Sequence, residues 1–80
     1  MKKSNEIDYL SKLGLQIKLE RTKKKLSQES LAHKSNLDRN YIGKVERGEQ
    51  NPTILTILKI TNALDISLLD LFENLEKLEV

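Results

Sequence analysis

Apolar residues recur along this chain with helical rather than strand spacing. Leu10, Leu13 and Ile17 stand at i, i+3 and i+7, and Arg21 continues their stripe. They predict a first helix over about Ile7–Lys24. Leu15 and Leu19 lie about 160–180° from that stripe at roughly 100° per residue. Either they are plain exposed leucines or they meet the C-terminal tail or a partner. Ser27 is a suitable N-cap for a second helix reaching about Ser35. Asn36 and Leu37 form a turn, Asp38 caps a third helix to about Arg47, and Gly48 stops it. After the loop Glu49–Pro52, Thr53 caps a fourth segment with Ile54, Leu55, Ile57, Leu58 and Ile60. Its β-branched content competes for a strand, but its length favours a helix at the centre of the core. Asp65 lies in a short turn. Ser67 with Asp70 opens a fifth helix in the manner of a capping box, bearing Leu68, Leu71, Phe72, Leu75 and, near its end, Leu78.

Within Ser27–Gly48 the spacing is more specific. Counting from Gln28, Leu31 is fourth, Ala32 fifth, Asn36 ninth, Leu37 tenth, Ile42 fifteenth and Val45 eighteenth. The apolar members must face inward for two helices to pack at a steep angle. The fifth position must be small because the second helix crosses there. The ninth must accept a left-handed backbone, which Asn tolerates best after Gly. Two helices held this way form a helix-turn-helix, whose second helix enters a DNA major groove.

The length of 80 residues suits one domain, 1–80, with no linker or repeat to divide it. No cysteine is present to staple so small a core, so helix packing or dimerisation must stabilise it. Lack of cysteine fits a reducing cytoplasm. No apolar run approaches the roughly 18 residues of a membrane span. The stretch MKKSNEIDYL lacks the apolar centre of a signal peptide. A soluble, cytoplasmic protein without a membrane partner is expected. The net charge of +2 conceals an asymmetry. Residues 1–50 hold 12 Lys and Arg against 7 Asp and Glu, whereas residues 51–80 hold 2 against 5. A polyanion is therefore expected on the side of the helix-turn-helix.

Leu13-Gly14, Ile17, Arg21, Leu26-Ser27-Gln28-Glu29, Leu31-Ala32 and the run Tyr41 to Gly48 carry a resemblance, joined by Asn51-Pro52-Thr53 and Ala63 to Ser67. The chain resembles the Cro and phage-repressor, or xenobiotic-response-element, helix-turn-helix family over about Leu13–Phe72. The fold implied is an all-α, compact five-helix bundle of the lambda-repressor type, which agrees with the helical pattern. Within the family, SNLDRNYIGKVERGEQNPT resembles the controller proteins of restriction–modification systems. That resemblance implies a homodimeric transcription regulator acting on its own operon, with RNA polymerase as a further partner where it activates. A generic repressor or an antitoxin-type interaction module of the same fold is the alternative, motivated by the surplus leucines Leu15, Leu19, Leu69, Leu75 and Leu78. Three departures stand out. Lys25 replaces a frequent Gly, Ser35 occupies a usually apolar position where it is expected to loosen the second helix, and Glu20 lies on the inward side of the first.

Residues near the start of a recognition helix point at base edges. Arg39 and Asn40, with Lys44 one turn on, are the candidate base readers, since Arg pairs with guanine and Asn with adenine. Gln28, at the N-terminus of the second helix, is assigned a phosphate by the resemblance and by the free amides there. Tyr41, Asn51, Thr53 and Lys24 are further phosphate candidates. For Tyr41 the competing role is covering the core, and for Thr53 it is capping. The resemblance pairs Arg21 with Glu46 in a structural salt bridge. The fifth helix, about 67–78, is the expected dimerisation element through Leu68, Leu69, Phe72 and Leu75, the competing role of these residues being to close the monomer core. No catalytic or metal site is expected, because the only histidine, His33, has no cysteine partner and no nucleophile with a base is present. No cofactor is implied.

Overall fold

A computed structural model describes the backbone of residues 5–79 and the side chains of residues 9–79. The first four residues of the stretch read above for a leader lie outside the described residues. Five helices follow in order: α1 (Asn5–Lys23), α2 (Gln28–Ser35), α3 (Arg39–Glu46), α4 (Ile54–Leu64) and α5 (Leu68–Glu76). No strand occurs among the described residues.

Local chemistry sets the starts and stops. The side chains of Ser27, Asp38, Thr53 and Ser67 accept the backbone N–H of Ser30, Asn40, Thr56 and Asp70 at 2.9, 3.2, 3.2 and 2.9 Å. Each thereby satisfies one of the donors a helix start leaves open. Asn36 takes the left-handed conformation (φ 57°) required of the turn between α2 and α3. Lys25 and Asp65 do the same at φ 60° and 58°. Lys25 thus holds a left-handed turn after α1, at a steric cost that a Gly would avoid.

The competing strand reading of the fourth segment fails. Ile57, Ile60, Thr61 and Leu64 are buried on one face, with a helical period. Ile54 and Leu55 are exposed, so only one stripe of this apolar segment reaches the core. Leu13, Ile17, Leu31, Ala32, Ile42, Val45, Leu71 and Leu75 complete the buried cluster. Gly14 lets α1 lie directly on the end of α3. A Cβ there would fall on the carbonyls of Val45 and Glu46, 2.5 Å from the latter's oxygen, and backbone cannot yield as a side chain would. Leu15 is half-buried and Leu19 exposed, opposite the buried stripe of α1.

Two polar residues in apolar slots are accommodated differently. Ser35 is buried with its polar group paired. Its hydroxyl donates to the Leu31 carbonyl at 2.6 Å, folding back on its own helix. Glu20 is 3% exposed and faces α5 from α1. Its Oε2 accepts Gln16 Nε2 at 2.8 Å and Asn74 Nδ2 at 3.1 Å, while Lys23 Nζ lies 3.7 Å from Oε1. Removing both amides by Gln16→Leu with Asn74→Leu would leave the buried carboxylate without a hydrogen bond, with only Lys23 Nζ at 3.7 Å. The expected loss is about 1–3 kcal/mol or more in urea denaturation. Adding Glu20→Leu should recover most of it, since an all-apolar replacement leaves nothing unpaired.

α5 departs from expectation in one respect. Leu75 is only 2% exposed and belongs to the monomer core, so it cannot present surface to a second copy. Leu69 is 68% exposed, while Leu68 and Phe72 are half-buried against the core. The helix stops at Glu76, which leaves Leu78 beyond it, half-buried. No helix of the described residues is long and apolar enough to cross a membrane.

Candidate nucleic-acid interface

Arg39 and Asn40 open α3, immediately after the Asp38 cap, and both are exposed. Lys44 stands one turn on and is exposed too. Gly43 is buried between them. Together with Gln28 of α2 and Arg47 at the end of α3, these residues line one open cleft. Arg39, Lys44 and Arg47 make its lining cationic, and among the described residues no acidic side chain lines it. The absence of a side chain at 43 forms the floor. A Cβ there would lie 3.2 Å from the Arg47 guanidinium and 3.7 Å from Gln28 Oε1.

The cleft is held from behind by a buried ion pair. Arg21 Nε donates to Glu46 Oε2 at 2.7 Å and Nη2 to Oε1 at 3.1 Å, a bidentate arrangement. Arg21 Nη1 also donates to the Leu26 carbonyl at 2.8 Å. Gln28 Nε2 donates to Glu46 Oε1 at 2.9 Å. The ion pair therefore joins α1 to the last residue of α3, with Arg21 reaching the turn before α2 and Glu46 the first residue of α2. Among the described residues, no buried side-chain polar atom lacks a partner.

This geometry sorts the candidate residues. Arg39, Asn40, Lys44 and Gln28 are brought to one surface. Gln28 arrives with one amide hydrogen committed to Glu46, so its remaining polar atoms and the open N–H groups of α2's first turn are what it offers a phosphate. Tyr41 does not line the cleft. It is half-buried and packs against the core, the competing role read for it above. Thr53 is engaged as a cap, accepting from Thr56 N and bonding the Thr56 hydroxyl at 3.1 Å. Asn51 and Lys24 are exposed but border other surface.

Arg47, at the end of α3, also lines the cleft. The signal was present in the row Arg39, Gly43, Arg47, since residues four apart share a helix face. Its guanidinium donates to Glu49 through Nε at 2.9 Å and Nη2 at 3.3 Å. The hydrogen bonds from Arg47 hold the Glu49 carboxyl below its ordinary range, and Glu49 in turn raises Arg47.

The comparisons with known proteins agree with this geometry. The helix-turn-helix family matches residues 17–71. Control protein C.MunI of Mycoplasma sp. is 42% identical over 60 residues, which cover 75% of this chain and 81% of that protein. The crystal structure of the restriction–modification controller protein C.AhdI from Aeromonas hydrophila is 51% identical, with a TM-score of 0.77 over 79% of this chain and 96% of its own. The controller C.Esp1396I, solved as a tetramer in complex with its natural 35 base-pair operator, is 45% identical, with a TM-score of 0.82 over 86% of this chain and 91% of its own. With the helix-turn-helix and its cationic cleft in place, the chain belongs to the helix-turn-helix family of DNA-binding regulators and, within it, to the control proteins of restriction–modification systems.

Proposed function

We propose that this protein binds the operator of its own restriction–modification operon as a dimer, with α3 in the major groove. The observation that carries this reading is the cleft of Gln28, Arg39, Asn40, Gly43, Lys44 and Arg47, cationic and shared by both helices of the motif. Arg39 and Asn40 read base edges, and Lys44 supports them. Gln28 and the first turn of α2 hold a phosphate oxygen. Operator binding and self-association by C.Esp1396I support the same activities here. The work is recognition rather than catalysis, carried out where the genome is, in the cytoplasm.

A single recognition helix offers too few contacts for a tight, specific complex. Two copies on half-sites about 34–36 Å apart supply the rest. α5 is the pairing element through Leu69, with Phe72 and Leu68 at its flank. A polymerase-facing patch would complete an activator. Glu46 cannot belong to it, because it is buried under Arg21 and Gln28, whereas Glu49 is exposed beside the cleft.

Titration of a labelled duplex from upstream of its own gene tests the reading. Affinity should fall steeply with salt, the log–log slope being about −0.9 per phosphate neutralised. Leu69→Glu should shift binding to higher protein concentration with little change in thermal stability. A response flat in salt, or binding indifferent to Leu69→Glu, would overturn the corresponding half of the proposal.

A further inference from the structure

Of the three cations lining the cleft, Arg47 is the one whose guanidinium is already taken. Glu49 receives it in a two-point arrangement, Nε to Oε2 and Nη2 to Oε1. The two side chains are 58% and 52% exposed, so the pair is open to solvent and adds little to folding stability. It joins residues two apart and ties no helix to another. Its geometric consequence lies at the interface instead. A phosphodiester presents the same pair of acceptor oxygens to a guanidinium as a carboxylate does. Glu49 and a DNA phosphate therefore compete for one donor edge.

Docking forces a choice on this pair. If Arg47 stays on Glu49, the cleft meets the duplex with one of its three positive charges neutralised. If Arg47 turns to a phosphate, Glu49 is left unpaired beside the polyanion. Either course weakens binding relative to an uncharged residue at 49. Phosphate contacts carry no sequence information, so the penalty falls equally on every duplex.

We propose that Glu49 is an internal competitor for DNA phosphate at Arg47, setting how tightly and how salt-sensitively the interface binds any duplex while leaving base choice to Arg39. The proposal rests on the DNA-binding reading above. The experiment compares the intact protein with Glu49→Gln, Arg47→Gln and the double variant. Fluorescence anisotropy follows two probes, a labelled duplex from upstream of its own gene and poly(dI-dC), between about 50 mM and 200 mM salt.

Glu49→Gln should bind both probes more tightly, by severalfold to about tenfold, and steepen the log–log salt slope by up to about 0.9 per protomer bound. The ratio of affinities for the two probes should stay constant. In the Arg47→Gln background the same substitution should change little. Unchanged or weaker binding by Glu49→Gln overturns the proposal. So does equal tightening in both backgrounds, which would make Glu49 a lone repulsive charge rather than a competitor. Failure of the intact protein to bind either probe would overturn the DNA-binding reading itself.

Discussion

Glu46→Ala is expected to remove about 3–5 kcal/mol of stability, the typical cost of breaking a buried ion pair from one side. The Arg21 side chain is only 10% exposed, and without Glu46 it keeps a single acceptor, the Leu26 carbonyl. Gln28 Nε2 loses its partner at the same time. A chain of 80 residues has a total stability of about 4–12 kcal/mol at 0.05–0.15 kcal/mol per residue, so this one change consumes a large share of it. Chemical denaturation followed by circular dichroism measures the loss. The double variant Arg21→Met with Glu46→Met should regain most of it, because the stranded charge is gone. A Glu46→Ala protein within 1 kcal/mol of the parent, an order-of-magnitude threshold below any stranded-charge cost, would show that the pair does not hold the helices together.

Arg39→Ala is the second large effect, and it falls on binding alone. Arg39 is exposed and makes no ion pair or side-chain hydrogen bond among the described residues, so the fold should not register its loss. A bidentate pair to a base carries about 1–3 kcal/mol of discrimination per half-site. In a dimer the loss is felt twice. Competition between the upstream duplex and poly(dI-dC) should show the preference collapse by about tenfold or more per half-site, with the melting temperature unchanged. Retained preference would transfer base reading to Asn40 and Lys44. The pattern is opposite to that expected of Glu49→Gln, which moves affinity for both duplexes together. Measuring the two variants side by side separates reading from holding.

Much of this is legible in the sequence. The caps Ser27, Asp38, Thr53 and Ser67 and the left-handed Asn36 are each defined by hydrogen bonds or sterics spanning a few residues. The buried stripe of α1 and the small residue Ala32 at the helix crossing also came from spacing. That Arg39, Asn40 and Lys44 share an exposed surface follows from their place on α3, at its first turn and one turn on. The Arg21–Glu46 pair came from the family resemblance, since two charges 25 positions apart carry no mark of their contact. Apolar content misled in two places. Leu75 and Leu69 look alike on α5, but only Leu69 reaches solvent. Ile54 and Leu55 look like core on α4, yet both are exposed.

The division follows the range of the interactions. By itself the sequence determined where helices begin and end, which turns need a left-handed residue, and which polar side chains lead the recognition helix. Those features depend on neighbours three or four residues away. Only the tertiary structure decided which apolar face each helix spends on the core and which it leaves for a second copy. It also joined Glu20 to Asn74 across 54 positions and carried Arg47 into the cleft with Gln28. Burial and long-range pairing depend on which helix lies against which, a property of the packed set rather than of any one segment.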